Sequence, residues 1–344
     1  MSDSSPNRYR RQIRFAPFGE AGQQHLREAR VLIVGCGALG CVSADLLVRA
    51  GVGFVRIVDR DFVERDNLHR QTLFTEADAT SQLPKAVAGA ARLAVVNSEV
   101  VIDPVVADVN ASNIQRLASD VQVIVDGTDN FETRYLINDF AVANNLPWVF
   151  AGCVGVEGQT MAILPGKSPC LSCFLPEPPP ASNMPTCETA GVLAPIVAVV
   201  AAYQAMEAMK ICSGNTAAVN PQLTVFDLWN NHVRSINMQG SRRADCLTCG
   251  ERQFPWLTGE RGAAVTKLCG RNSVQISSAQ TEPVNLAVLA EKLRTVGQVA
   301  ANPYLVRLSI DEFLITIFAD GRTIVGGTEN EATARTLLAK YVGS

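Results

Sequence analysis

Val31-Leu32-Ile33-Val34 runs directly into Gly35-Cys36-Gly37-Ala38-Leu39-Gly40, and a helical pattern through Leu39, Leu46 and Leu47 follows. A short apolar strand, a G-x-G-x-x-G turn and a helix form a nucleotide-binding signature. Glycine allows a tight turn and close approach to phosphate, and the helix start offers exposed N–H donors. A second strand, Val55-Arg56-Ile57-Val58, ends at Asp59, where a carboxylate can bind ribose hydroxyls. Gly35, Gly37, Gly40 and Asp59 are therefore candidate nucleotide contacts. The motif by itself leaves NAD, FAD and ATP open.

Outward from that turn, strand and helix signals alternate. Val121 to Val125 reads as a strand ending at Asp126, ahead of Gly127-Thr128-Asp129-Asn130, and Trp148-Val149-Phe150 begins another. Such alternation implies crossover units and a mainly parallel α/β sheet with helices on both faces, whose ligands gather at the carboxyl ends of the strands. From about Gly152 the pattern shifts to a Rossmann-like sheet's antiparallel continuation. A strand is expected from Thr160 to Leu164, a stiff extended segment at Pro176 to Pro180, and a helix from Leu193 to about Ile211. Strands at Leu223–Phe226 and Val233–Ile236 follow. Residues 251–262 read as a linker between a large domain, 1–250, and a small C-terminal α/β domain, 263–344. In that small domain strands are expected at Val274–Ile276, Tyr304–Leu308, Leu314–Phe318 and Thr323–Val325, and helices at Leu286–Leu293 and Glu331–Tyr341.

Composition narrows the function. Hydrophobic residues make up 47% and charged residues 18%, as in a well-buried globular chain. A formal net charge of -3 offers no electrostatic reason to expect nucleic acid or a membrane as partner. No signal-peptide core lies between Met1 and Phe15, so a cytoplasmic protein is expected. In that setting the ten cysteines favour reduced thiols and metal over disulfides.

Charged and polar residues after the strand ends favour ATP. Asp61, Asn67, Arg70, Gln71 and Lys85 follow the second strand, and Asp129 follows the later one. Attack of a carboxylate on an α-phosphate gathers negative charge, so it needs arginine, lysine and a carboxylate to hold magnesium. The attacking carboxylate is already ionised near neutral pH and needs no strong base.

Two Cys-x-x-Cys pairs, Cys170/Cys173 and Cys246/Cys249, stand 72 residues apart. Together they supply the four thiolates of a closed tetrahedral zinc site, which is structural because no position stays open. Cys187 lies on a segment just before the long helix, where proximity to a helix N-terminus lowers a thiol pKa. Cys36, Cys41, Cys153, Cys212 and Cys269 sit in apolar or glycine-rich settings and read as packing residues.

Arg8 to Gln12, Gly35 to Gly40, Asp59-Arg60-Asp61, Asn67 to Gln71, Pro84-Lys85 and Thr128-Asp129-Asn130, taken in order, resemble the motif series of the ubiquitin-activating-enzyme superfamily, nearest its bacterial ThiF/MoeB/HesA branch. The resemblance implies ATP-dependent adenylation of the C-terminal Gly-Gly carboxylate of a ubiquitin-like sulfur-carrier protein, with ATP, Mg2+ and Zn2+ as cofactors. It places Asp59 on the ribose, Asn67, Arg70 and Lys85 on the phosphates, and Asp129 on magnesium. It also implies a homodimer in which Arg11 reaches the neighbouring subunit's site, and a Cys187 that accepts an acyl group. Asp61, Gln71 and Asn130 complete the expected nucleotide contacts. The chain departs from the family at Ser81-Gln82-Leu83, directly before Pro84-Lys85. The alternatives are a NAD-dependent oxidoreductase, a zinc scaffold that docks a ubiquitin-like protein without catalysis, and an adenylating relative that acts on a small molecule or tRNA base.

Overall fold

In the computed structural model, which describes residues 8–179, 189–261, 265–268, 272–276 and 284–342, two helices precede the first strand. They are α1 (Arg10–Ile13) and α2 (Gly19–Glu28), and β1 (Arg30–Val34) follows. The glycine turn leads into α3 (Ala38–Ala50), which stops at Gly51, whose φ of 87° suits glycine and whose N–H caps Leu47 and Val48. The chain then continues through β2 (Phe54–Asp59), α4 (Glu76–Thr80), α5 (Lys85–Val96), β3 (Val101–Val106), α6 (Ile114–Ala118), β4 (Val123–Asp126) and α7 (Phe131–Ala143). Next come β5 (Trp148–Val154), β6 (Glu157–Ile163), α8 (Leu171–Phe174), α9 (Ala194–Cys212), β7 (Leu223–Asp227) and β8 (His232–Ile236).

These strands form one eight-stranded sheet in the order β3-β2-β1-β4-β5-β6-β7-β8. Pairing is parallel from β3 through β5 and antiparallel from β5 to β8, so the expected mixed architecture is present. The chain order reverses between β1 and β4. Connections leave the sheet toward opposite faces there, which opens a crevice at the carboxyl ends of the two strands. One core cluster, containing Leu47, Val48, Leu93, Ala205 and Ala208, joins α3, α5 and α9 to the sheet. A second, containing Leu117, Leu136, Phe140 and Leu171, joins α6, α7 and α8. The helix α9 is long and apolar enough by composition to cross a membrane, but half of it is buried inside the fold.

Two compact units are present, Met1–Arg261 and Gly262–Ser344. Residues 251–261, expected as a linker, instead dock onto the large unit. Trp256 stacks on Tyr135 with ring centroids 5.4 Å apart, and its backbone N–H donates to Asp139 Oδ2 at 3.0 Å. Turn-forming residues gave this stretch a linker's composition, while its aromatic side chains hold it down.

The second unit contains β9 (Val265–Leu268), β10 (Ser273–Ile276), α10 (Leu286–Leu293), β11 (Gln298–Ala301), β12 (Leu305–Ile310), β13 (Phe313–Phe318), β14 (Thr323–Gly326) and α11 (Glu331–Tyr341). Its strands form an antiparallel sheet in the order β11-β12-β13-β14-β10-β9. Val274, Val306, Leu308, Ile315, Ile317 and Val325 cluster with Leu286, Ala290 and Leu293 of α10 and Ala334 of α11. The strands β3, β9 and β11 were not foreseen. Pro104 interrupts β3, an edge strand, and β11 is a largely exposed edge strand of small and polar residues.

Candidate active site

The glycine turn is a piece of backbone-on-backbone packing. Gly35 has φ +90°, and a Cβ there would lie 2.7 Å from Gly127 O. A Cβ on Gly127 would come within 2.4 Å of Gly35 O, and one on Gly40 within 1.9 Å of the same oxygen. These three glycines therefore bring the loops after β1 and β4 and the start of α3 into direct contact. Gly37 differs, because the nearest obstacle to a Cβ is Gly127 O at 3.8 Å. Its bare backbone serves approach by a ligand, the second role of glycine in such turns. Gly40→Ala is expected to destabilise the large unit by about 3 kcal/mol or more, since rigid backbone cannot yield as a flexible side chain does. Urea unfolding checks this, and a cost under about 1 kcal/mol would show that the turn is not packed this way.

Asp59 is buried at the end of β2 and fastens the turn. Its Oδ2 accepts Cys36 N–H at 2.6 Å and its Oδ1 accepts Asp61 N–H at 2.7 Å. Burial pushes its pKa up, and the Lys85 ammonium opposes that shift. Each carboxylate oxygen keeps a further lone pair for a ribose hydroxyl. Lys85, at the start of α5, is buried, with Nζ 3.6 Å from Asp61 Oδ2. Its own N–H donates to Asp61 O at 2.8 Å, and an isolated Phe62–Pro84 bridge ties the segment after β2 to the start of α5. The structure thus anchors Lys85 firmly, despite the unusual residues before Pro84.

Arg60 was not foreseen as a site residue. It pairs with Asp108 at 3.2 Å. Burial works against its charge, but Asp108 foremost, then Asp61, Asp129 and Asp59 hold the guanidinium protonated and raise its pKa. Asp59 ends β2, Asp61 follows it and Asp129 follows β4; because these strands run parallel beside β1, all three carboxylates stand at the same edge of the sheet, and their charges act together on Arg60. In the next loop Gln71 Nε2 donates to Asn67 Oδ1 at 2.8 Å, and Arg70 Nη1 donates to Asp66 O at 3.0 Å and meets His69 Nε2 at 2.7 Å. Gln71 Oε1 is buried with no hydrogen-bond partner among the described residues. A buried acceptor left unmatched is costly, so it suits a donor brought by a ligand.

Asp129 is exposed, on a loop whose shape others set. Buried Asp126 accepts from Thr128 N at 2.9 Å and Thr128 Oγ1 at 2.7 Å. It is paired with Arg134 Nε at 3.1 Å, and Arg134 also donates to Thr128 O and Ala151 O at 2.7 and 2.9 Å. Burial raises the Asp126 pKa and Arg134 pulls it back. Asn130, expected to touch nucleotide, caps α7 by accepting Thr133 N–H at 2.8 Å.

Arg11 does not join this cluster. It is exposed on α1, which Gln12 fastens to Ala50 O at the far end of α3. At 1.5 Å per residue, α3 puts about 20 Å between that point and the glycine turn. Cys187 lies outside the described residues.

Cys170, Cys173, Cys246 and Cys249 converge, all buried, with their sulfurs within 4.8 Å of one another. The Sγ–Sγ separations of 3.6 Å for Cys170–Cys246, 3.3 Å for Cys173–Cys249 and 3.9 Å for Cys170–Cys173 bracket the roughly 3.8 Å edge of a tetrahedral zinc–thiolate site. Hydrogen bonds from Cys170 and then Cys173 hold Cys249 well below the ordinary thiol range. The donor set fits zinc.

A family model described as "ThiF family" matches residues 9–248. The sulfur carrier protein ThiS adenylyltransferase of Bacillus subtilis is 44% identical over 337 residues, covering 98% of this chain and 99% of that protein. The adenylyltransferase and sulfurtransferase MOCS3 of Danio rerio is 36% identical over 270 residues, covering 77% of this chain. This chain spans 58% of that MOCS3. The solved structure of E. coli MccB with ATP aligns with a TM-score of 0.62 at 24% identity, covering 73% of this chain and 76% of that one, a likeness of fold.

Proposed function

This chain belongs to the ThiF family, and from that premise we propose that it adenylates the C-terminal carboxylate of a ubiquitin-like sulfur-carrier protein at the expense of ATP. The observation that carries the reading is the gathering of Asp59, Asp61 and Lys85 against the glycine turn, with Arg60 and Asp129 at the same edge of the parallel strands. An end-to-end likeness to a ThiS adenylyltransferase supports it. A NAD-dependent oxidoreductase is not favoured, because hydride transfer needs no such gathering of cations and carboxylates.

In this reading the nucleotide lies over Gly35–Gly40 with its ribose on Asp59. A carboxylate oxygen of the carrier attacks the α-phosphorus, the bond to the bridging oxygen breaks, and pyrophosphate leaves with both electrons. No proton has to move. Asn67, Arg70, Gln71 and Lys85 bind the phosphates. Asp129 would hold Mg2+, which supplies further charge neutralisation when bound. Lys85 is pre-set beside Asp61, so little reorganisation is needed as charge develops. Arg11 would act in a second copy's site, which makes the working unit a homodimer. Cys187 would then take the acyl group as a thioester, releasing AMP. We place the protein in the cytoplasm, where its thiols stay reduced, and assign the four-cysteine cluster a structural zinc.

Pyrophosphate exchange into ATP tests the reading. Exchange is expected only when a carrier ending in Gly-Gly is present, and none with any such carrier would overturn it. Arg70→Ala is expected to lower the exchange rate by about 10²-fold or more, whereas a nicotinamide enzyme would tolerate the change.

A further inference from the structure

Helix α7 joins the loop of Asp129 to the four-cysteine cluster through buried polar side chains. In its first turn Arg134 holds Asp126, Thr128 O and Ala151 O, which shape that loop. One turn on, Asn138 Oδ1 accepts Leu171 N–H at 2.9 Å and Asn138 Nδ2 donates to Ser172 Oγ at 3.2 Å. Asp139 Oδ1 accepts Thr248 Oγ1–H at 2.9 Å, and its Oδ2 accepts Trp256 N–H at 3.0 Å. Ser172 and Thr248 stand inside the two Cys-x-x-Cys pairs and bond each other at 3.1 Å. Arg134 and Asn138 are four residues apart, as are Tyr135 and Asp139, so two adjacent columns on one helix carry these contacts. Arg134, Asn138 and Asp139 are all buried.

Apolar packing through Leu136, Ile137 and Phe140 would hold the helix against the sheet on its own. It would tolerate small axial shifts, because such contacts are not directional. Buried hydrogen bonds are directional and costly to leave unmade, so they fix one axial position.

We propose that Asn138 and Asp139 are positioning residues for the adenylation reaction: by fastening α7 to both cysteine knuckles they fix where Asp129 stands against the glycine turn. The inference rests on the adenylation reading for the part given to Asp129. The coupling itself belongs to the fold and can be measured without any carrier.

Hydrogen exchange on the full chain tests it, with Asn138→Ala, Asp139→Asn and the core truncation Ile163→Val compared under reducing conditions. In the first two variants zinc is expected to stay at wild-type stoichiometry while the amides of residues 127–133 exchange about tenfold faster. The half-saturating Mg2+ concentration for pyrophosphate exchange rises about tenfold, and the ATP KM stays within twofold. Ile163→Val, even with a comparable fall in Tm, leaves both readouts unchanged. Unaltered protection of residues 127–133 with zinc retained overturns the proposal. So does loss of zinc in either variant, because Asn138 and Asp139 would then act only in assembling the cluster. An equal loss of protection in Ile163→Val overturns it as well. Silence of the wild-type enzyme with every carrier would count against adenylation alone, and the exchange protection would still decide the coupling.

Discussion

Asp129→Ala is expected to lower carrier-dependent pyrophosphate exchange by about 10³-fold, the scale of losing one preorganised electrostatic group at a reacting phosphate. Its melting temperature is expected to stay near that of the wild type. The two halves of this result have separate causes. The carboxylate is exposed and does not shape its own loop, which Asp126 and Arg134 hold. Its field nonetheless reaches Arg60 together with those of Asp59 and Asp61, so its loss is felt where the nucleotide phosphates would lie. Asp126→Ala should behave in the opposite sense. It strands a buried guanidinium, a change that typically costs about 3–5 kcal/mol, and so lowers the melting temperature before any assay is run. Thermal unfolding and exchange assays on the two variants separate the roles. Asp129→Ala activity within tenfold of wild type would remove Asp129 from the reaction.

The strand–turn–helix at residues 31–50 and the two Cys-x-x-Cys pairs were legible in the sequence because each is a short local pattern, although the glycine turn alone left the choice of nucleotide open. The helices expected at Leu286–Leu293 and Glu331–Tyr341 are present over those residues, and in the structure each starts at an asparagine cap, Asn285 and Asn330. Arg60 and the Asp126–Arg134 pair were not legible. Each is a charged residue that reads as solvated until the fold brings a counter-charge to it, and Asp108 lies 48 residues beyond Arg60. Asn130 has a part that its motif did not announce: three residues ahead of Thr133, it caps the start of α7 through Oδ1. Lys85 shows the reverse. Its unusual preceding residues obscured it in the sequence, while the Phe62–Pro84 bridge and the Asp61 carbonyl hold it against Asp61.

Cys249→Ser is expected to remove the bound zinc and to lower the melting temperature of the large unit by about 10 °C. The cluster joins chain segments 76 residues apart in sequence, counted from Cys173 to Cys249. Without metal, that closure depends on packing alone. Structural zinc contributes roughly 10–16 kcal/mol of apparent folding free energy in peptides that have no other core. Here the four cysteines belong to a core cluster that also holds Leu171, Phe140 and Trp148, so only part of that figure is lost. A serine hydroxyl cannot replace the thiolate, because it stays protonated and neutral near pH 7 and leaves zinc with three good ligands. Ser172→Ala makes the instructive comparison. It removes the hydrogen bonds to Asn138 and Thr248 but keeps all four sulfurs, so zinc should remain and the melting temperature should move by only a few degrees. Metal analysis together with calorimetry reads both variants. Retained zinc and an unchanged melting temperature in Cys249→Ser would mean that the four sulfurs converge without forming a metal site, and the role given to that end of α7 would have to be withdrawn.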